Sequence, residues 1–251
     1  MLKACKRVLC ASLLLAASSA QAELPEGYKM VVLTENFPPF NMAVDDKNFA
    51  RDDGIDGISA EIVREMFKRA GIDYSMTLRF PWDRLYRLTL DKPGYALFST
   101  TRTAEREALF KWVGPLGETS WVLMARGDSA IQVNNLSEAS QYRIGAYKNN
   151  ALSQSLESQK IPLVLSLRDQ ENIRKLAAGQ IDLWATDDPA GRYMARAEGV
   201  QGLKVVLKMN QAQLYLALNK DTPDEVVERL QKALDEMRQE GFVEEMTNSY
   251  L

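Results

Sequence analysis

A polar stretch over residues 98–106 is the part of this sequence best suited to bind an anion. It has the pattern of a strand end, a turn and the start of a helix capped by Thr103. Arg106 would then occupy about the third helical position, where a cation faces the positive end of the helix dipole. A bound anion would remove that conflict, and Ser99 and Thr101, on one side of an extended segment, add hydroxyl donors. The stretch therefore predicts a carboxylate or phosphate site, with a solvated arginine as the alternative.

Amino-acid composition excludes several kinds of chemistry. The 251 residues include no histidine, and the two cysteines, Cys5 and Cys10, lie close to the start of the chain. Without histidine or cysteine in the rest of the chain, a zinc site is not expected, and a nucleophile paired with histidine is excluded. We expect no metal and no other cofactor. The formal net charge of −3 does not favour nucleic acid or an anionic membrane as a partner.

The first 22 residues have the pattern of a secretory signal peptide. A basic start precedes the apolar run 8–17, which is too short to cross a bilayer, and the small-residue cleavage site Ala20-Gln21-Ala22 follows. We therefore expect a cleaved signal peptide over residues 1–22, a mature chain beginning near Glu23, and a periplasmic protein. No later apolar run approaches the roughly 20 residues of a membrane span.

Alternating strand and helix patterns surround the polar stretch. The first half of the mature chain has strand patterns at 29–34, 72–80 and 95–99 and helix patterns at 58–70 and 82–90. The second half has strand patterns at 120–125, 143–147, 163–167, 181–186, 203–208 and 214–219, and helix patterns at 151–159, 170–178, 189–198 and from 223 onward. This alternation predicts an α/β protein, and a break near Gly117 predicts two lobes.

Two local features carry separate predictions. The sequence Phe37-Pro38-Pro39-Phe40 predicts an exposed loop, because proline cannot donate to a strand ladder. Thr222 is predicted to cap the last long helix, with Pro223 at its first position.

Chemically useful side chains lie where predicted strands end. Ligands of open α/β sheets bind beyond the carboxyl ends of the strands. The candidates found this way are Phe37, Ser99, Thr101 and Arg106 in the first half, and Asn149, Asn150 and Asp187 in the second.

These segments together resemble the extracellular solute-binding proteins of family 3, periplasmic receptors that deliver polar amino acids to ATP-driven importers. The resemblance covers nearly all of the mature chain. It is carried by residues 34–40 (TENFPPF), 56–58 (DGI), 99–106 (STTRTAER), 182–193 and 230–251. The order and spacing of these segments make the resemblance specific.

The resemblance implies a two-lobed periplasmic binding protein-like fold (type II), with two mixed, mostly parallel sheets flanked by helices and joined by two hinge strands. Lobe one would comprise residues 23–117 and 212–251, and lobe two residues 118–211. The implied ligand contacts are Arg106 with Ser99 and Thr101 on an α-carboxylate, Asp187 on an α-ammonium group, Phe37 on the ligand side chain, and Asn149 and Asn150 on the carboxylate from lobe two.

Several positions depart from the family pattern or allow another role. The family often has an acid where Thr34 stands, so Glu35, one residue later, is a further candidate. Ile58 replaces the usual aromatic residue, and Asn149-Asn150 replaces a Gly-Ser/Thr pair. Asp187 could instead cap a helix, although Asp188 is nearer that position, and Phe37 could fill the lobe core. Trp82, Tyr86 and Trp184 either widen an aromatic pocket or pack in the core; Trp82 is kept as a candidate.

The leading functional hypothesis is a monomeric binding protein, not an enzyme, that closes around a small zwitterion. Its expected partners are a small-molecule ligand, an amino acid or related carboxylate, and an ABC permease in the inner membrane. An enzyme on the same fold, similar to cyclohexadienyl dehydratase, is one alternative. A sensory binding protein without an importer is another.

Overall fold

The computed structural model describes residues 24–45 and 47–250, so the predicted signal peptide lies outside the described residues. The strands are β1 Lys29–Thr34, β2 Met42–Ala43, β3 Ala50–Arg51, β4 Ile55–Asp56, β5 Asp73–Leu78, β6 Tyr95–Thr101, β7 Phe110–Ala125, β8 Ile144–Tyr147, β9 Leu163–Ser166, β10 Leu183–Asp188 and β11 Lys204–Asn219. The α-helices are α1 Ile58–Ala70, α2 Trp82–Asp91, α3 Leu136–Ala139, α4 Ala151–Ser158, α5 Asp169–Ala177, α6 Ala190–Ala197, α7 Asp224–Gln239 and α8 Phe242–Tyr250.

Nine of these strands form one mixed sheet in the order β3-β5-β1-β6-β11-β7-β10-β8-β9. Strands β5, β1 and β6 run parallel at one end, and β10, β8 and β9 run parallel at the other. Strands β7 and β11 pair antiparallel in the middle. The structure therefore has the two-lobed α/β fold expected of a type II binding protein, with β7 and β11 as the connecting strands.

The two connecting strands are longer than their sequence patterns predict. Strand β7 continues through Pro115 and Gly117, where a break was expected, and β11 joins the two short strands predicted at 203–208 and 214–219. The pairing register shifts at several points along the pair, which accommodates residues that would interrupt a regular ladder. A Cβ on Gly114 would lie 2.4 Å from the ring of Tyr215, so only glycine permits this packing.

The hydrophobic core is divided in the same way as the sheet. One cluster includes Met30, Phe67 and Leu230 and extends onto the ends of the connecting strands at Val113 and Leu216. Two others lie at the far end of the sheet, around Leu123 and Leu183 on one face and around Trp184 and Ile173 on the other. Ala212 packs in the cluster around Leu123, at the edge of the predicted boundary between lobes.

The loop from Phe37 to Phe40 is buried, so the prediction of an exposed loop is wrong. Phe40 is 2% exposed, and its ring stacks on Phe37 with centroids 5.3 Å apart. The first N–H groups of α1 donate to this loop, from Ile58 to the Pro39 carbonyl at 3.0 Å and from Ser59 to the Phe40 carbonyl at 2.8 Å. The helix start therefore satisfies carbonyls that the prolines leave outside any strand ladder.

The predicted cap of the last long helix is also wrong. Helix α7 begins at Asp224 after Pro223, without a side-chain cap hydrogen bond. Thr222 lies one residue too early, and its hydroxyl is buried without a partner. Its carbonyl instead accepts a hydrogen bond from Lys111 Nζ at 2.6 Å.

Candidate functional site

A cavity of about 70 Å³ lies where strand ends from both halves of the sheet meet. One water needs roughly 10–15 Å³ measured in this way, so the space admits a small polar molecule. Eight of the nine residues predicted from the sequence line it: Glu35, Phe37, Trp82, Ser99, Thr101, Arg106, Asn150 and Asp187. Each of them follows or ends a strand, or begins the helix after it, as the rule for α/β sheets requires.

Arg106 is the central cation of the cavity and is 2% exposed. Its Nη2 donates to Gln154 Oε1 at 2.9 Å, and its Nη1 donates to the Thr101 carbonyl at 3.3 Å. The guanidinium carbon lies 5.0 Å from the centroid of the Tyr86 ring. Its buried Nε has no hydrogen-bond partner among the residues that the structure describes. The Gln154 side chain and the Thr101 carbonyl are both neutral, so within residues 24–45 and 47–250 the charge of Arg106 has no anionic partner.

The local backbone around Arg106 differs from the sequence prediction. Residues 104–106 form a turn, and a short 3-10 helix follows at Glu107–Leu109 with Arg106 at its start. Thr103 therefore caps no α-helix; its carbonyl accepts the Arg106 N–H at 3.1 Å. The case for an anion at Arg106 consequently comes from burial, which lowers the pKa of the guanidinium by disfavouring its charged form.

Ser99 and Thr101 both line the cavity, and one polar group of each is hydrogen-bonded within the protein. Ser99 has a left-handed φ of 55°, and its hydroxyl donates to Asn41 Oδ1. The Asn41 amide in turn donates to the Glu35 carbonyl. Thr101 accepts from Arg106 through its carbonyl, which leaves its hydroxyl available to a ligand.

Asp187 faces the cavity from the end of β10 and is 9% exposed. Burial raises the pKa of its carboxyl to about 7, and the nearby charge of Asp169 adds to that effect. Its neighbour Asp188 pairs with Arg192 at 3.0 Å, while α6 starts after Pro189 without a side-chain cap. Neither aspartate therefore caps that helix.

Glu35 is a second buried carboxyl in the cavity, also 9% exposed. The hydroxyl of Tyr147 lies 2.7 Å from Glu35 Oε1 and 2.9 Å from Oε2. Burial raises the pKa of Glu35 to about 8; the Tyr147 hydrogen bond opposes this rise and the charge of Asp169 adds to it. The contact joins the two halves of the chain across the cavity.

Asp169 is a third carboxyl that lines the cavity, and sequence reasoning missed it. Its Oδ1 accepts from Trp184 Nε1 at 2.9 Å and from Asn172 Nδ2 at 3.3 Å. Burial raises its pKa to about 6. Tyr147 ends β8, and Asp169 begins α5 three residues after β9, so the strand-end rule could have found both. Within residues 24–45 and 47–250, no three acidic, histidine or cysteine side chains converge enough to hold a metal ion.

Aromatic side chains form part of the cavity wall. Phe37, Trp82 and Trp121 line it, and Trp82 is tilted against Tyr86 with centroids 6.3 Å apart. The Nε1 of Trp82 is buried without a hydrogen-bond partner. Trp184 is fully buried in the core behind Asp169, so it reaches the cavity only through that carboxylate.

The two asparagines after β8 have different roles. Asn150 lines the cavity and also caps α4, where its Oδ1 accepts from the Ser153 N–H at 2.7 Å. Asn149, the other predicted ligand contact, does not line the cavity. Its φ is 62°, and its amide donates to Asp83 Oδ1 at 3.2 Å. Its side chain therefore bridges the two halves of the chain outside the cavity.

The sequence profile of the bacterial extracellular solute-binding proteins, family 3, matches residues 30–251, and the chain belongs to this family. Among curated proteins, none matches the sequence. No helix among the described residues has both the length and the apolar character needed to cross a membrane.

Three solved structures share the fold. One is a histidine kinase sensor domain with similarity to periplasmic binding proteins, at TM-score 0.78 and 18% identity, covering 90% of this chain and 97% of that one. A second is ArtJ, the arginine-, lysine-, histidine-binding protein of Geobacillus stearothermophilus, at TM-score 0.76 and 19% identity, covering 89% and 95%. The third is AncCDT-1, an ancestral amino acid-binding protein and precursor of cyclohexadienyl dehydratase, at TM-score 0.72 and 16% identity, covering 88% and 94%.

Proposed function

We propose that this protein captures a small zwitterion of the α-amino acid class between two lobes that close on it. Lobe one would comprise residues 23–117 and 212–251, and lobe two residues 118–211. The observation that carries the proposal is Arg106, a buried guanidinium without an anionic partner whose Nε faces no acceptor.

A carboxylate ligand would give the buried guanidinium charge of Arg106 an anionic partner. A buried charge is stable only when it is paired and hydrogen-bonded, and a guanidinium matches a carboxylate through two parallel N–H donors. The Thr101 hydroxyl and the Asn150 side chain lie in the same cavity and supply further polar contacts.

Asp187 supplies the opposite pole of the site. It faces the cavity from β10, whereas Arg106 follows β6, on the other side of the two connecting strands. An α-ammonium group would restore the charged form of the Asp187 carboxylate, whose pKa burial otherwise raises to about 7. A zwitterion is therefore the ligand class in which both poles of the cavity gain a partner, and Phe37 and Trp82 provide apolar surface for the rest of the molecule.

Delivery to an ABC permease of the inner membrane is the proposed role of the captured ligand, since the chain belongs to a family of solute-binding proteins. The chain would act as a monomer in the periplasm after loss of its signal peptide. Uptake of labelled amino acids by cells with and without the gene separates this role from that of a sensor, which would leave uptake unchanged.

The proposal is tested by Arg106→Ala and Arg106→Lys in calorimetry against the standard L-amino acids. We expect Arg106→Ala to weaken the tightest ligand by about 2–5 kcal/mol, since it leaves a buried carboxylate unpaired. Arg106→Lys should restore only part of that loss, because an ammonium cannot form the planar double contact.

Arg102→Ala is the matched control. Arg102 is exposed, pairs with Glu107 at 2.6 Å and lies outside the cavity, so its loss should leave binding unchanged. Wild-type protein that binds no amino acid, or an Arg106→Ala variant within twofold of wild type, would contradict the proposal.

A second candidate function is an acid-catalysed elimination on a cyclic dicarboxylic acid. The observation that favours it is Glu35, which burial keeps protonated near neutral pH in the same cavity as a carboxylate-binding arginine. Incubation with prephenate-like acids, with Glu35→Gln as the variant lacking the proton donor, decides between the two. Absence of turnover in the wild type excludes this candidate.

A further inference from the structure

The cavity contains more negative than positive groups. Among the described side chains that line it, Arg106 is the single cation, whereas Glu35, Asp169 and Asp187 are acids. We infer that the ligand is an α-amino acid with a cationic side chain, and that Glu35 and Asp169 receive that second cation. This inference rests on the proposed function and specifies its substrate class.

The hydrogen-bond partners of the two additional acids leave room for a cation. Both donors to Asp169 approach the same oxygen, Oδ1, which leaves Oδ2 free for a ligand. Glu35 shares the single hydroxyl proton of Tyr147 between its two oxygens. Arg168 is the neighbouring protein cation, but its guanidinium carbon lies 4.6 Å from the centroid of the Phe80 ring, stacked on it.

A zwitterion with an uncharged side chain would leave the excess of acidic groups in the cavity unchanged. Its carboxylate pairs with Arg106 and its ammonium group with Asp187, so Glu35 and Asp169 would remain desolvated without a cation. Protonation of both carboxyls is the other way to remove their charge. A second ammonium or a guanidinium on the ligand instead stabilises their ionised forms and forms charge-assisted hydrogen bonds.

The three acids line one cavity, so a single ligand can contact all of them. The charge of Asp169 raises the pKa of both Glu35 and Asp187, so Asp169 lies within electrostatic reach of each. The unpartnered Nε of Arg106 marks the carboxylate end of the same cavity. Phe37 and Trp82 line the same cavity and offer apolar surface to a methylene chain, and aromatic faces attract cations.

Matched ligand pairs test the inference by calorimetry at pH 7.5. L-lysine is compared with L-norleucine, which lacks only the terminal ammonium, and L-arginine with L-citrulline, its neutral analogue. We expect the cationic member of at least one pair to bind tenfold or more tightly, about 1.4 kcal/mol. Asp169→Asn and Glu35→Gln should each reduce that ratio several-fold while retaining norleucine binding. Both substitutions keep an oxygen to accept the hydrogen bonds of Trp184 and Tyr147.

Glu157→Gln is the control, since Glu157 is exposed on α4 and does not line the cavity. Equal or tighter binding of norleucine and citrulline would overturn the second-cation inference and leave the proposed function standing. Cadaverine binding without any amino acid binding would overturn both, because the carboxylate would then be irrelevant. Absence of binding by every probe would overturn the second-cation inference, and calorimetry with the remaining standard L-amino acids would then decide the proposed function.

Discussion

Replacing Glu35 with glutamine should change how the stability of the ligand-free protein depends on pH. The chain has no histidine, so no side chain with an ordinary pKa titrates between pH 5 and 8. Glu35 does titrate near this range, because burial raises its pKa to about 8. The charged or ionisable groups that act on it are Tyr147, Asp169 and Arg168.

Proton binding by Glu35 determines whether the free energy of unfolding rises or falls with pH. A raised carboxyl pKa means that the folded state binds a proton between pH 4.5 and about 8 that the unfolded state has released. The free energy of unfolding therefore falls as pH rises through this window, the reverse of the usual carboxylate effect. Asp187 and Asp169, with pKa values raised to about 7 and about 6, act in the same direction.

The magnitude follows from the size of the Glu35 shift. Each pKa unit corresponds to about 1.4 kcal/mol, so the rise from 4.5 to about 8 gives a ceiling of roughly 5 kcal/mol. Reorientation of Tyr147 and partial hydration of the cavity reduce this ceiling. We expect ionisation of Glu35 to lower the free energy of unfolding by about 2 kcal/mol. In a protein of this length each kcal/mol moves Tm by about 2–4 °C, which gives a shift of about 4–8 °C.

Thermal unfolding followed by circular dichroism between pH 5 and 8.5, on protein refolded to remove bound ligand, measures the effect. The wild-type Tm should fall as pH rises. The Tm of Glu35→Gln should fall less and should exceed the wild-type Tm at pH 8.5. The Tm of the exposed control Glu157→Gln should follow that of the wild type. A wild-type Tm that is constant or rises from pH 5 to 8, or a variant with the same slope as wild type, would refute the reasoning.

Three further outcomes are expected. Asp187→Asn should weaken the tightest amino acid by about 2–5 kcal/mol in calorimetry and spare analogues without an amine, since only the ammonium contact is lost; equal losses for both would argue against that contact. Tyr147→Phe removes the hydroxyl that reaches Glu35 across the cavity, so X-ray scattering of the ligand-free variant should give a larger radius of gyration than wild type; an unchanged radius would show that this contact does not hold the lobes together. N-terminal sequencing of the exported protein should begin near Glu23, and a retained Met1 would contradict the signal peptide.

Local sequence patterns predicted most helices and strands, because the spacing of apolar residues shows which face of each element is buried. Helix α1 begins and ends as predicted at residues 58 and 70, where apolar spacing and a left-handed glycine, Gly71, coincide. Strand β7 shows the limit of such patterns. Pro115 and Gly117 are locally unfavourable in a strand, yet β7 pairs with β11 on both sides of residues 114–116, which lie at a register shift.

The candidate site was predictable to the extent that each side chain follows a strand. Arg106 and Asp187 were identified in this way, although the helix expected at Arg106 does not form. What could not be predicted is which residues from distant parts of the chain meet. Tyr147 contacts Glu35 across 112 positions, and Gln154 contacts Arg106 across 48, and only the folded chain fixes such pairs.

The two connecting strands also determine the mechanics of the molecule. Strands β7 and β11 lie side by side and are joined by main-chain hydrogen bonds, so we expect them to bend as one unit and not as two separate connections. Their pairing is irregular between Lys208 and Gln211 and between Leu214 and Leu216, so bending there breaks few ladder bonds, and we expect amide hydrogen exchange to be fastest at these points. We therefore expect the two lobes to open and close along one bending direction.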